Sequence, residues 1–195
     1  MAKSKKNNSQ IMRIGFDMDG VLIDHTGAKI LVAEKFGIAL APEQTPSDVM
    51  RKMIPRDILH EIQWLLYDDK KYALRSPIMR GARPALKEII AKDIPIFLIS
   101  RRKNQAVAVE LLQKHGLWPV FFDEKNTFFV DEPEDKNSRA IELGITHYLD
   151  DEHRVLEKLT NVPNRFLFDK HRIYPDTDLY RRVFSWQEFL SDVII

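Results

Sequence analysis

Two carboxylates one residue apart, Asp17 and Asp19, follow the short apolar run 11–16, and a second acidic pair, Asp150 and Asp151, follows the run 147–149. Ser100 closes a third apolar run, 94–99, and Lys136 stands one helix length ahead of the second acidic pair. Each run reads as a buried strand, so three strands end in reactive side chains. In open parallel sheets, ligands bind beyond the carboxyl ends of the strands. Four carboxylates, a hydroxyl and an ammonium would therefore converge at one sheet edge. Clustered carboxylates repel unless a cation is present, and hard oxygen ligands suit Mg²⁺. A site holding Mg²⁺, an ammonium and a hydroxyl donor is built for an anionic, multi-oxygen group. Phosphate is the natural candidate.

The elements that must position these residues alternate after residue 80. Segments 84–91, 104–115, 136–143, 155–159 and 186–193 have helical patterning. Segments 94–99, 120–122, 127–130, 147–149 and 165–168 read as strands, the helices at 104–115 and 136–143 closing at Gly116 and Gly144. Such alternation predicts an α/β fold, a Rossmann-like doubly wound parallel sheet with helices on both faces. Residues 26–78 differ: their apolar residues recur at three- and four-residue spacing, broken by Pro42, Pro46 and Pro55. The simplest organisation is a core of residues 11–25 and 79–195, a small helical cap inserted as residues 26–78, and a flexible polar tail at 1–10.

Composition narrows the function classes. The 195 residues carry 30 Lys+Arg against 29 Asp+Glu, a formal charge of +1, which excludes the clustered cation needed to coat a nucleic acid polymer or a membrane surface. Cysteine is absent, which removes disulfides, thiolate nucleophiles and Cys-based zinc sites. No apolar stretch approaches the 18 or so residues of a membrane span, and no secretory h-region follows the polar start. The expected location is the cytoplasm.

Phe16-Asp17-Met18-Asp19-Gly20-Val21-Leu22, Leu98-Ile99-Ser100, Lys136 and Tyr148-Leu149-Asp150-Asp151 resemble the four ordered motifs of the haloacid-dehalogenase-like phosphohydrolases. The resemblance covers residues 11–170 or so, and the insertion after the first motif resembles that family's helical cap. It implies that Asp17 is a nucleophile forming an aspartyl-phosphate. It implies that Asp19 protonates the leaving oxygen and then deprotonates the hydrolytic water. Mg²⁺ would be held by Asp17, the Asp19 main-chain carbonyl and the acidic pair, with Asp151 the closer ligand and Asp150 its support. Ser100 would donate to a phosphoryl oxygen, and Lys136 would offset charge on the nucleophile and the transferring group. An acid at the Asp19 position suits the family's hydrolases and mutases, whereas its transport ATPases carry Thr there.

A narrower resemblance is to the 5′(3′)-deoxyribonucleotidases. It rests on Pro77-Ile78-Met79-Arg80-Gly81-Ala82, on Phe166-Leu167-Phe168-Asp169 and on Arg182-Val183-Phe184-Ser185-Trp186. It implies a small phosphorylated metabolite as substrate, a nucleotide foremost, with a sugar phosphate or other small phosphomonoester as the alternative. A phosphate-binding module without turnover is a further alternative, and a homodimer is compatible with either. The sequence departs from this subgroup after Ser100, where Arg101-Arg102 replaces the expected Ser/Thr-Pro.

Taken singly, each residue has a plainer reading. Asp-x-Asp-Gly is a common turn, Ser100 a helix cap, Lys136 a solvated helix residue and Asp150-Asp151 a cap pair. A calcium loop fails because its sixth position needs Gly and holds Leu22. Arg101 and Arg102 either grip a substrate anion, Arg101 as a phosphate ligand, or open a helix at the surface. His25 reads as structural or peripheral. Glu132, Glu134 and Asp135 read as a solvated face, Trp64, Leu65 and Tyr67 as cap core, and Trp186 as an anchor for the last helix.

Overall fold

The computed structural model describes residues 11–194, so the tail expected at 1–10 lies outside the described residues. Six strands form one sheet: β1 (Ile14–Phe16), β2 (Ile96–Ser100), β3 (Thr127–Phe129), β4 (His147–Asp150), β5 (Asn164–Phe168) and β6 (Arg181–Val183). Their order is β3-β2-β1-β4-β5-β6, and every neighbouring pair is parallel. The doubly wound α/β architecture expected from the sequence is present. The chain runs outward from β1 through β2 to β3, then returns to β4 on the other side of β1. That reversal puts a crevice at the carboxyl ends of β1 and β4, where open α/β sheets bind ligands.

Side-chain alternation divides the strands between two cores. Ile14, Phe16, Leu98 and Leu149 point to one face and pack with α5 (Ala82–Ala91), α6 (Gln105–Lys114) and α9 (Trp186–Val193). Ile99, Tyr148 and Leu167 point to the other and meet α7 (Pro133–Leu143) and α8 (His153–Lys158). Trp186 is fully buried, as expected of an anchor. Its indole Nε1 donates to the Val21 carbonyl at 3.0 Å, which ties α9 to the loop after β1.

Helices α1 (Thr26–Glu34), α2 (Ser47–Met53), α3 (Arg56–Tyr67) and α4 (Lys70–Ala73) enclose an apolar cluster of their own, including Val32, Met50, Leu59, Ile62 and Leu66. This helical unit joins the rest through two adjacent strands of chain, where the Asp24 amide donates to the Pro77 carbonyl at 2.9 Å.

Three local readings change. Residues 120–122 are not a strand: the Phe121 and Phe122 amides both turn back to the Leu117 carbonyl, at 2.9 and 3.1 Å, leaving no donor for a ladder. Their rings still fill the core. Helix α7 starts at Pro133, ahead of the expected 136, because Pro133 takes the first helical position and the Asp135 carboxylate accepts from the Glu132 amide at 2.9 Å. The acidic segment thus opens the helix that carries Lys136. Strand β6 was not expected, since only Val183 of its three residues is buried at this sheet edge.

Candidate active site

Asp17 follows β1 directly and is fixed from three sides. Its amide donates to the Leu149 carbonyl at 3.0 Å, Oδ2 accepts from the Asp19 amide at 3.1 Å, and Oδ1 accepts from Lys136 Nζ at 2.6 Å. Lys136, only 1% exposed, also donates to Asp150 Oδ2 at 2.8 Å. Asp150 Oδ1 in turn accepts from the Glu152 amide at 2.9 Å. One ammonium therefore serves two carboxylates. Burial alone would lower the Lys136 pKa, but Asp150 and Asp17 outweigh it and hold the group well above the ordinary lysine value.

Asp151 completes the acidic set. One oxygen each from Asp17, Asp150 and Asp151 lies within 4.8 Å of the others. Burial, then the charges of Asp150 and Asp17, push the Asp151 carboxyl well above the usual range. Burial likewise pushes Asp17 up to about 7, the charges of Asp150 and Asp19 adding to it against the pull of Lys136. Room for the Asp151 side chain comes from Gly20: its φ is +83°, and a Cβ there would overlap the Asp151 carboxylate. Three converging carboxylates with one ammonium leave an excess of negative charge that a hard divalent cation would relieve. The donor set fits Mg²⁺.

Asp19 is held differently. Arg102 grips it fork to fork, Nε to Oδ2 at 2.7 Å and NH2 to Oδ1 at 2.9 Å, and His25 Nε2 lies 2.6 Å from Oδ1. Burial opposes ionisation, but Arg102 and His25 together hold this carboxyl far below its ordinary value. The Ser76 hydroxyl is bonded to His25 Nδ1 at 2.7 Å.

Ser100 is buried at the end of β2, and its Oγ accepts from the Arg102 amide at 3.3 Å. Arg101 borders the same cavity with its guanidinium 3.1 Å from Glu152. The cavity has a volume of about 520 Å³ and is floored by Asp17, Asp19, Ser100, Lys136, Asp150 and Asp151. Its roof is one face of α3: His60, Gln63, Trp64 and Tyr67. The opposite face of α3 buries Leu59, Ile62 and Leu66 in the helical unit's own core.

Asp17, Asp19, Ser100, Arg101, Lys136, Asp150 and Asp151 thus reach one crevice. Three readings are corrected here. His25 is not peripheral, because it contacts Asp19 directly. Trp64 is not cap core: it is 53% exposed and faces the cavity, because the apolar stripe of α3 is already filled by leucine and isoleucine. Arg102 is no surface arginine either, at 5% exposure. Glu152 and Lys29 also line the cavity, and neither belongs to a sequence motif. For Glu152 the signal was its position next to the acidic pair.

No family model matches the chain, and no curated relative does. Solved structures do. A haloacid-dehalogenase-family hydrolase from Deinococcus radiodurans, with bound phosphate and sodium, aligns over 95% of this chain and 96% of its own at 17% identity and a TM-score of 0.61. A Thermotoga maritima protein assigned as a β-phosphoglucomutase aligns over 93% and 98% at 18% identity and a TM-score of 0.60. A dehalogenase aligns over 94% and 97% at 13% identity and a TM-score of 0.62. The fold of this chain is that of the haloacid-dehalogenase-like hydrolases.

Proposed function

We propose that the protein is a Mg²⁺-dependent phosphomonoester hydrolase working through an aspartyl-phosphate. The observation that carries this reading is the buried Asp17–Lys136–Asp150 arrangement beside Asp151 and Ser100, at the point where the strand order reverses. The likeness in fold to proteins named as phosphatases and a phosphoglucomutase supports it.

Asp17, Asp150, Asp151 and the Asp19 carbonyl would hold Mg²⁺, which when bound supplies charge neutralisation at the transferring phosphoryl group. Ser100 and Arg101 bind phosphoryl oxygens. A carboxylate oxygen of Asp17 bonds to phosphorus as the bond to the leaving oxygen breaks, and that oxygen takes a proton from Asp19. Water then adds to phosphorus, its proton passes to Asp19, and the Asp17–phosphorus bond breaks. The products are an alcohol and inorganic phosphate. Lys136 keeps Asp17 oriented and offsets the charge that builds during both transfers.

The substrate is a small phosphorylated metabolite, and a nucleoside monophosphate is favoured. Trp64 offers an exposed indole face over the cavity, and Gln63 beside it offers both a donor and an acceptor. The test is a phosphate-release screen of wild type and Asp17→Asn, with and without Mg²⁺, across nucleoside monophosphates, sugar phosphates and p-nitrophenyl phosphate. Release that needs both Mg²⁺ and Asp17 is the expected result. The nucleotide-to-sugar ratio decides the substrate class. No release from any of them by a folded protein would overturn the hydrolase reading in favour of phosphate binding without turnover.

A further inference from the structure

We infer that Arg102 is a positioning residue that ties the orientation of the Asp19 carboxylate to the seating of the helical unit 26–73 over the crevice. The guanidinium bonds on both sides of the divide. Nε and NH2 hold Asp19, while NH1 donates to the Tyr67 carbonyl at 2.9 Å, at the last residue of α3. The Tyr67 ring lies under the same guanidinium, 4.5 Å from its carbon to the ring centroid. All three nitrogens are thereby engaged, and a buried guanidinium that lost one partner would carry an unsatisfied donor.

The other contact to Asp19 has the same character. His25 stands at the entry to the helical unit and Ser76 at its exit, and the two are bonded to each other. Asp19 thus senses both connections and the end of α3 through two side chains. Arg101, the neighbouring residue, repeats the pattern one step away. It shares Glu152 with Arg51 of α2, each guanidinium 3.1 Å from a carboxylate oxygen. The Arg101-Arg102 pair after Ser100, which sets this sequence apart from the deoxyribonucleotidases it otherwise resembles, is a clasp between the core loop and the helical unit. If α3 lifts, Arg102 loses the Tyr67 carbonyl and the ring, and Asp19 loses its fixed fork.

The kinetic part of the test rests on the proposed hydrolase activity, so the primary readout is independent of it. Amide hydrogen exchange is measured over α3 and α4 in wild type, Arg102→Ala, Asp19→Asn and the double variant. Arg102→Lys, which keeps the buried charge but not the fork, is measured alongside to guard against misfolding of Arg102→Ala. Exchange should quicken by about tenfold in each single variant and no further in the double variant, since both remove one linkage. Additive quickening, or none in either Arg102 variant, would overturn the coupling.

In turnover, Arg102→Ala should lose at least about tenfold in kcat, with KM nearly unchanged and the larger loss on alkyl phosphates than on p-nitrophenyl phosphate. Millimolar guanidinium should restore part of it. Arg51→Ala, which breaks the contact of α2 with Glu152 but leaves the Arg102 bonds to Asp19 and the Tyr67 carbonyl in place, should leave the dependence on leaving group as in wild type. The same change of dependence in Arg51→Ala would overturn the positioning role of Arg102. An inactive wild type with intact exchange coupling would defeat the hydrolase reading and leave the Arg102 linkage standing.

Discussion

Arg102 and Asp19 meet fork to fork, with both carboxylate oxygens of Asp19 engaged at 2.7 and 2.9 Å, while Asp17, two residues earlier, shares the single ammonium of Lys136 with Asp150. The two carboxylates are pushed apart as a consequence. Asp17 is raised to about 7 by burial and by its acidic neighbours, and Asp19 is held down by a guanidinium of its own. The proposed chemistry needs Asp17 ionised and Asp19 protonated, and a divalent cation on Asp17 and a phosphoryl dianion beside Asp19 would shift each in that direction. Here the raised one faces the acidic cluster and the lowered one faces the roof of the cavity.

Asp17→Asn keeps the shape of the side chain and removes the nucleophile. Turnover with Mg²⁺ should fall by about a thousandfold or more, with the fold unchanged by circular dichroism. Phosphate release above a few per cent of wild type would remove Asp17 from the nucleophile's role.

Asp19→Asn takes away the proton carrier but not the nucleophile. The expected loss is about 10²–10⁴-fold on alkyl phosphates and markedly less on p-nitrophenyl phosphate, whose leaving group needs little protonation. Rates across a series of leaving groups check this. Equal losses along the series would contradict the proton-transfer assignment.

Much of this was legible in the sequence because each motif sits where a strand or helix ends. Asp17, Ser100 and Asp150 fall at carboxyl ends of strands whose apolar residues announce them, and parallel topology then forces them to one edge. What the sequence hid was hidden for physical reasons. Trp64 looked like core because an aromatic at helical spacing usually packs inward, and only the packing of Leu59, Ile62 and Leu66 shows that the inward face is full. His25 and Arg102 touch Asp19 across 6 and 83 residues of chain, contacts that no local pattern encodes. Strand β6 was hidden by its charge, since an edge strand with one buried residue has no apolar run to betray it.

The connection into the helical unit carries a pH-dependent contact. Asp24 Oδ1 accepts from Lys170 Nζ at 2.6 Å and from the Thr26 amide at 3.0 Å. Burial opposes, but these bonds win and hold the Asp24 carboxyl below its ordinary value. A carboxyl lowered on folding contributes stability that is present above the unfolded value, about pH 4, and is lost as pH falls through the folded value. Asp24→Asn should therefore be less stable than wild type at pH 6, with the gap closing as the pH falls below the ordinary carboxylate value of about 4. Urea midpoints at several pH values measure it. A gap of constant size would show that the charge is not what matters.

Trp64→Ala tests the roof of the cavity. Stacking of a base on an aromatic ring is worth about 1–3 kcal/mol, so KM for nucleoside monophosphates should rise about tenfold or more while sugar phosphates are little affected. Steady-state kinetics on both classes give the answer. A parallel rise for both would mean that Trp64 shapes the cavity without reading a base.

Lys136→Met asks whether charge balance holds the floor of the site together. The ammonium lies 2.6 Å from Asp17 and 2.8 Å from Asp150 and is buried. Its loss leaves the carboxylates of Asp17, Asp150 and Asp151, within 4.8 Å of one another, without their cation. Breaking a buried ion pair from one side costs about 3–5 kcal/mol, so denaturant midpoints measured in EDTA should fall by a corresponding amount. A divalent cation bound by the same carboxylates favours the folded state by mass action, and more so where no ammonium competes for their charge. Millimolar Mg²⁺ should then raise the midpoint of Lys136→Met by more than it raises that of wild type. An equal shift in both proteins would mean that Mg²⁺ and Lys136 do not answer to the same carboxylates, and the metal would have to be placed elsewhere.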